Sequence, residues 1–420
     1  MTYIIPLLTI TVYATMFAFL FKKRIEQTIP ISVTTIVLGI YIFGLFDNLK
    51  LGTIIIGIMA IIQLAIILCK LCKEKDYKKV KHGIKNIITP GMIIYISLIT
   101  LFIFLNKGRI FENYDEFNHW GKMIKNMFMY NSYGTNIEST IKFNEYPPFT
   151  AIFQYIFLTV SNQYNEDVII TAQCILYLSI IIPITKNLCW DKKIIKNIIS
   201  FVLVIVCIPV IFYSNFYLEI LVDGIMGVMF GVCIFYLYEK EENLTFKYVK
   251  IFTMLTMLFL TKTTGIALGI VAILLLIINT VRQRKVIDVK KNTKNIIIVI
   301  MALTIIILTW YIKVKGTTKR WDFEKYFTTK SENENLTNLF INNIFTNQKI
   351  TDKKLTVFAV IMVVTCISIY LVKNVKKYNK ERRILYCVNA NYRYNIFNRT
   401  SFNIYKNIYF NWSWSFSVFW

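Results

Sequence analysis

Charge is scarce in this chain. Of its 420 residues only 17% are Asp, Glu, Lys or Arg, against 56% hydrophobic, and the mean hydropathy is +0.52. That balance excludes an ordinary soluble globular protein of this size. Histidine is scarcer still, with two residues, and the single C-x-x-C pair, Cys69 and Cys72, has no second pair to complete a metal or redox site. The eight cysteines lie mostly inside apolar runs and read as small apolar side chains. No basic domain stands apart from the apolar runs, so the net charge of +24 does not signal a nucleic-acid partner. A basic leader and an A-x-A cleavage site are missing around 3–21, which reads as a retained first helix. No inverted repeat relates the two halves, as it does in many transporters.

What the chain has instead is a series of apolar runs. They fall near 3–21, 31–46, 52–69, 87–105, 149–160, 168–185, 197–213, 218–238, 251–262, 266–281, 296–314 and 355–372. An α-helix needs roughly 20 apolar residues to cross a bilayer, so the pattern predicts an all-α polytopic membrane protein of 11 to 12 hydrophobic helices. Basic runs follow several of them: Lys22 to Arg24, Lys70 to Lys85, Lys186 to Lys196, Lys247 and Lys250, Arg282 to Lys294, and Lys373 to Arg383. These lysines cluster in short loops between apolar runs, and the positive-inside rule places the loops in the cytoplasm. The N-terminus, 47–50, 106–147, 214–219 and 315–354 then lie outside. Segment 149–160 is too short to span alone and reads as a re-entrant or interfacial helix, or a short tilted span. The break Thr261-Lys262-Thr263-Thr264-Gly265 falls at the outer surface, on the side of Asp115.

Four regions follow. Residues 1–86 hold N-terminal helices, and 87–315 a membrane core with the outer loop 106–147. Residues 316–386 hold a second outer loop and a last helix. The stretch 387–420 lacks Asp and Glu and shows no helical period; it reads as an interfacial aromatic segment, or as what a changed reading frame near Ile384 or a truncation would leave. An excess of Ile, Lys and Asn fits an AT-rich bacterial genome and a bacterial cell membrane.

Polar residues inside such a chain are costly and mark functional candidates. The densest group is Tyr114-Asp115-Glu116-Phe117-Asn118-His119-Trp120, followed by Tyr146-Pro147-Pro148. Adjacent carboxylates diverge on a helix or a strand, so Asp115 and Glu116 cannot face each other across a substrate. At most one is a base; the other orients, binds metal or faces solvent. On a helix Asp115 and His119 share a face, and the set Asp115, Glu116 and His119 is a candidate for a divalent metal. A capped, solvated juxtamembrane loop explains the same residues. The two prolines fit a helix start. Glu219 and Asp223 flank the start of another apolar run, where Gly224 and Gly227 suggest close packing. Lys262 either snorkels to the interface or meets a phosphate, and Arg320 is a weaker candidate for the second role.

An Asp-Glu pair in the first large outer loop, then Tyr-Pro-Pro, an outer Asp before a glycine-containing helix and a Thr-Lys-x-x-Gly break resemble the GT-C class of polyprenyl-phosphate-dependent membrane glycosyltransferases. The nearest types are the protein mannosyltransferases and aminoarabinose transferases. The likeness covers about 87–315 and departs at three points: three extra leading helices, Phe149 where leucine is usual, and no soluble C-terminal domain. It implies a GT-C-like fold in the bilayer with juxtamembrane helices in the large outer loop. It also implies a polyprenyl-phosphate sugar donor and a glycan, lipid or protein acceptor at the outer face. Asp115 would be the catalytic carboxylate, with Glu116 the alternative. His119, Trp120, Tyr146, Pro147, Pro148, Glu219, Asp223, Lys262 and Arg320 would line the substrate site. Two other classes stay open: a flippase or transporter of lipid-linked sugars, and an inactive envelope-assembly protein. A transporter would hold its polar residues near the midplane, an enzyme of this kind at the surface.

Overall fold

The computed structural model describes residues 1–73, 83, 85–135, 145–190, 194–283 and 288–315. All of these fall within one compact unit, Met1–Thr318. The N-terminal helices and the 87–315 core are therefore one body. Arg320, the regions 316–386 and 387–420, and the run Lys373 to Arg383 lie outside the described residues.

Every described element is a helix. The α-helices are α1 (Ile4–Phe21), α2 (Ile29–Leu45), α3 (Leu49–Lys73), α4 (Pro90–Leu105), α5 (Gly121–Tyr130), α6 (Phe149–Ser161), α7 (Glu166–Ile181), α8 (Ile194–Phe212), α9 (Val222–Tyr238), α10 (Leu244–Phe259), α11 (Thr263–Arg282) and α12 (Val289–Lys315). Their limits follow local chemistry. Thr89 caps α4 by accepting from Met92 N–H at 3.1 Å, with Pro90 at the first helical position. Asn243 caps α10 in the same way through Phe246 N–H at 3.0 Å.

Five stretches are long and apolar enough to cross a membrane: Ile4–Phe21, Leu49–Lys73, Glu166–Asn187, Thr263–Arg282 and Val289–Lys315. Five shorter apolar helices accompany them among the described residues, fewer full-length spans than the apolar runs suggested. Exposed Leu, Ile and Met line the flanks of α3 and α12, whereas α7 is wrapped by its neighbours. An all-α chain with such apolar flanks is compatible with a multi-pass membrane protein.

Charges collect at the two ends of the bundle. At one end Lys23 meets Glu241 at 2.5 Å, Lys250 meets Glu239 at 2.7 Å and Glu241 at 3.2 Å, and Lys186 also pairs with Glu239. Arg24 joins them by donating to the Leu188 carbonyl at 2.7 Å. The basic runs after α1 and α7 thus share an end with the α9–α10 turn. One expectation is corrected here. Lys247 and Lys250 are not in a loop, because α10 starts about seven residues before the apolar run at 251 and Lys250 is buried within it. Two glutamates repay the burial of that ammonium.

The opposite end gathers the remaining polar motifs. Asp47 pairs with Lys313 at 2.7 Å, Asp167 accepts from Gly108 N–H at 3.0 Å, and Glu166 accepts from Phe111 N–H at 2.7 Å. Helix α6 begins at this end, where Phe149 N–H donates to the Leu260 carbonyl at 2.7 Å. It also finishes there, since α7 starts again beside Gly108 and Phe111. Residues Phe149 to Leu158 are all buried, so α6 is an internal element that does not run between the ends of the bundle.

Proline shapes the neighbouring α8. Pro209 has no N–H to give the Ile205 carbonyl. Tyr177 hydroxyl donates to that carbonyl at 2.8 Å, and Tyr217 hydroxyl donates as well. Tyr217 also stacks on Phe102 with centroids 4.5 Å apart. The segment 213–221 is fixed to the bundle in this way.

Candidate functional site

The residues at the motif end are placed by a π-helical turn, Glu116–Trp120, that runs into α5. A π-turn is wider than an α-turn and is frequent at functional sites. Here it turns Glu116, His119 and Trp120 inward and leaves Asp115 and Phe117 exposed. The two adjacent carboxylates consequently have opposite environments.

Tyr146 is the centre of the cluster. Trp120 stacks on its ring at 5.9 Å and 26°, and His119 meets it edge-on at 5.2 Å. The Lys262 ammonium lies 5.8 Å from the ring centroid. Burial raises the Tyr146 phenol above its usual range; Lys262 opposes the rise, and the charges of Glu145, Asp223 and Asp115 add to it. Asp115, Asp223 and Lys262 therefore all act on one ring. Lys262 also binds Asp223 at 2.8 Å, with the Asp223 side chain 69% exposed and that of Lys262 19% exposed.

Backbone complementarity explains why Tyr-Pro-Pro sits beside the Thr-Lys break. Helix α10 ends at Phe259 and leaves the Leu260 carbonyl without a helical partner, while α6 begins with a free N–H at Phe149. Each satisfies the other. Pro147 and Pro148 are buried in this joint, and Pro148 is the residue before the first helical position. Gly265 allows α11 to leave the joint close to α10, because a Cβ there would overlap the Leu258 carbonyl oxygen. Gly224 lies against the Phe216 ring, whereas Gly227 has open space, so only the first supports close packing.

Glu116 does not share the exposed position of Asp115. It is wholly buried, and both oxygens are committed to backbone N–H groups. Oε1 accepts from Ile220 at 2.8 Å, and Oε2 from Glu112 at 3.0 Å and Asn113 at 2.9 Å. Glu219 is also buried and accepts from Asn215 Nδ2 at 2.6 Å and from the Tyr213 hydroxyl. It braces the 213–221 segment. The metal expectation is corrected accordingly: among the described residues no three His, Cys, Asp or Glu side chains gather as ligands, and the oxygens of Glu116 point to backbone.

His119 is held neutral. Burial pushes its pKa down to about 4 from 6.5, and the nearby Lys262 charge acts in the same direction. An unfolded chain takes up this proton below about 6.5 and the folded one does not. The contribution to stability is complete above pH 6.5 and is lost as pH falls toward 4. Thermal unfolding of wild type and His119→Gln should differ most at neutral pH and converge on acidification. A difference that stays constant across that range would show that His119 is not kept neutral by the fold.

One contributor was not legible in the motifs. Trp310 of α12 donates its indole N–H to the Glu145 carbonyl at 2.8 Å and packs edge-on against Tyr133 at 5.3 Å. It ties the approach to Tyr-Pro-Pro onto the last described helix. The nearest hint in the sequence is an interfacial tryptophan close to the end of an apolar run. A surface groove lined by Lys290, Thr293, Lys294, Ile297, Ile298 and Met301 lies toward the other end of α12 and takes no part in this site.

The fold thus defines an all-helical protein compatible with a multi-pass membrane location, with a polar cluster around Tyr146 at one end of the bundle. Compared with known proteins, the chain matches no protein-family model, no curated protein and no solved structure.

Proposed function

We propose that the protein is a membrane glycosyltransferase that moves a sugar from a polyprenyl-phosphate donor to a hydroxyl of a cell-envelope acceptor. The reading joins the resemblance of the motifs to one observation: Lys262 holds Asp223 and lies over the Tyr146 ring at the end of the bundle, where the exposed Asp115 precedes the turn that packs His119 and Trp120 on that ring. A bilayer-midplane transport site fits that placement less well. By the positive-inside rule, the end opposite the cluster of Lys23, Lys186 and Lys250 faces outward.

The chemistry suits one exposed carboxylate and one cation. The acceptor oxygen attacks the anomeric carbon and gives its proton to Asp115, or is oriented by it. The bond from that carbon to the phosphate oxygen breaks, and the lipid phosphate departs as a stable anion without a general acid. Direct attack inverts the anomeric centre. Lys262 supports the charge that develops on the phosphate. Its pair with Asp223 does not forbid this, since pairs open to solvent contribute only about 0–1 kcal/mol.

The test is a transfer assay in membranes containing the protein, with labelled polyprenyl-phosphate sugars as donors. Label should pass to an envelope acceptor. Movement of intact donor across the bilayer without bond cleavage would favour the flippase reading and overturn this one.

A further inference from the structure

Glu116 is a carboxylate with no exposed surface in a chain that has only 24 acidic residues. A buried charge is retained only where it is well satisfied. No cation faces it among the ion pairs of the described residues; three backbone N–H groups do so instead. Two of these, from Glu112 and Asn113, are local and close the turn before the π-helix. The third comes from Ile220, which is 104 residues away.

Ile220 belongs to a segment that is fixed on its other side. Tyr217 is bonded to the Ile205 carbonyl that Pro209 leaves open, and the Tyr217 carbonyl accepts from Cys174 Sγ at 3.3 Å. Three residues beyond Ile220 stands Asp223, the partner of Lys262. The side chain before Glu116 in sequence is Asp115. One carboxylate thus joins the loop that displays Asp115 to the segment that leads into Asp223, the residue paired with Lys262.

We infer that Glu116 is a positioning residue, a latch that fixes Asp115 relative to Lys262 without touching substrate. This rests on the transferase reading for its consequence in catalysis but not for the latch itself. The two are tested separately. Hydrogen exchange of the purified full chain in detergent reads the latch without any activity. In Glu116→Gln, exchange should rise together in 112–120 and in 213–223, because the amide offers one oxygen where the carboxylate offered two. Exchange across the α10–α11 joint should stay as in wild type. A rise confined to 112–117, or no rise, overturns the latch.

In the transfer assay Glu116→Gln should lower kcat about tenfold, the scale of one lost charge-assisted hydrogen bond, while KM for the donor stays within about twofold. Loss of transfer as complete as that of Asp115→Asn, with exchange unchanged, would make Glu116 the base and overturn the assignment. If Glu116→Gln does not reach the membrane, Glu116→Asp serves. It keeps the charge and shortens the reach, so exchange should rise in 213–223, and unchanged protection there overturns the latch. If wild type transfers no sugar, the functional reading fails and the exchange result still decides the latch.

Discussion

Asp115→Asn should fold as wild type does and transfer sugar about a hundredfold to ten-thousandfold more slowly, the range for loss of a general base. The stability half of this expectation follows from exposure. Asp115 is exposed, and no hydrogen bond or ion pair among those of the described residues is formed by its carboxylate. Removing its charge therefore breaks no packing contact. The activity half follows from position: its charge acts on Tyr146, and so do those of Lys262 and Asp223. Rates of label transfer, measured beside thermal unfolding of the same preparation, separate the two. Full transfer by a folded Asp115→Asn protein removes Asp115 from the reaction.

Lys262→Met should have the second large effect. A methionine keeps most of the aliphatic stem and deletes the ammonium. If that ammonium carries the developing phosphate charge, kcat should fall about a hundredfold to a thousandfold, as when one preorganised electrostatic group is removed. Stability should change little, since Asp223 is left at a solvent-exposed position. Lys262→Arg should recover part of the rate, because a guanidinium also binds phosphate. Asp223→Asn gives the opposite perturbation by releasing Lys262, and donor affinity should hold or improve. A Lys262→Met enzyme that turns over normally would move the phosphate contact to another cation.

The sequence was most readable where one physical demand governs many residues. Apolar runs near 20 residues long became helices close to their expected limits, as at Ile4–Phe21 and Thr263–Arg282, although Val289–Lys315 starts seven residues before its run. The short run at 149–160 became the 13-residue helix α6, which starts and finishes at one end of the bundle. The same approach failed for Lys250. A lysine beside a loop looks solvated from local pattern, and only the two glutamates at the α9–α10 turn explain why it is buried in a helix.

The two carboxylates mark the division most clearly. The sequence alone determined that Asp115 and Glu116 could not act as a facing pair, because neighbouring side chains diverge in any regular backbone. It also placed a polar cluster at the mouth of an apolar bundle, because charge cannot remain cheaply among lipid-length helices. Which carboxylate faces outward was decided by tertiary structure. The answer depends on a π-turn and on the Ile220 N–H supplied from 104 residues away, and no local spacing encodes that distance. The meeting of Tyr146 with Lys262 is of the same kind. It comes from two helix ends, at Phe149 and Leu260, that each lacked a backbone partner until the chain brought them together.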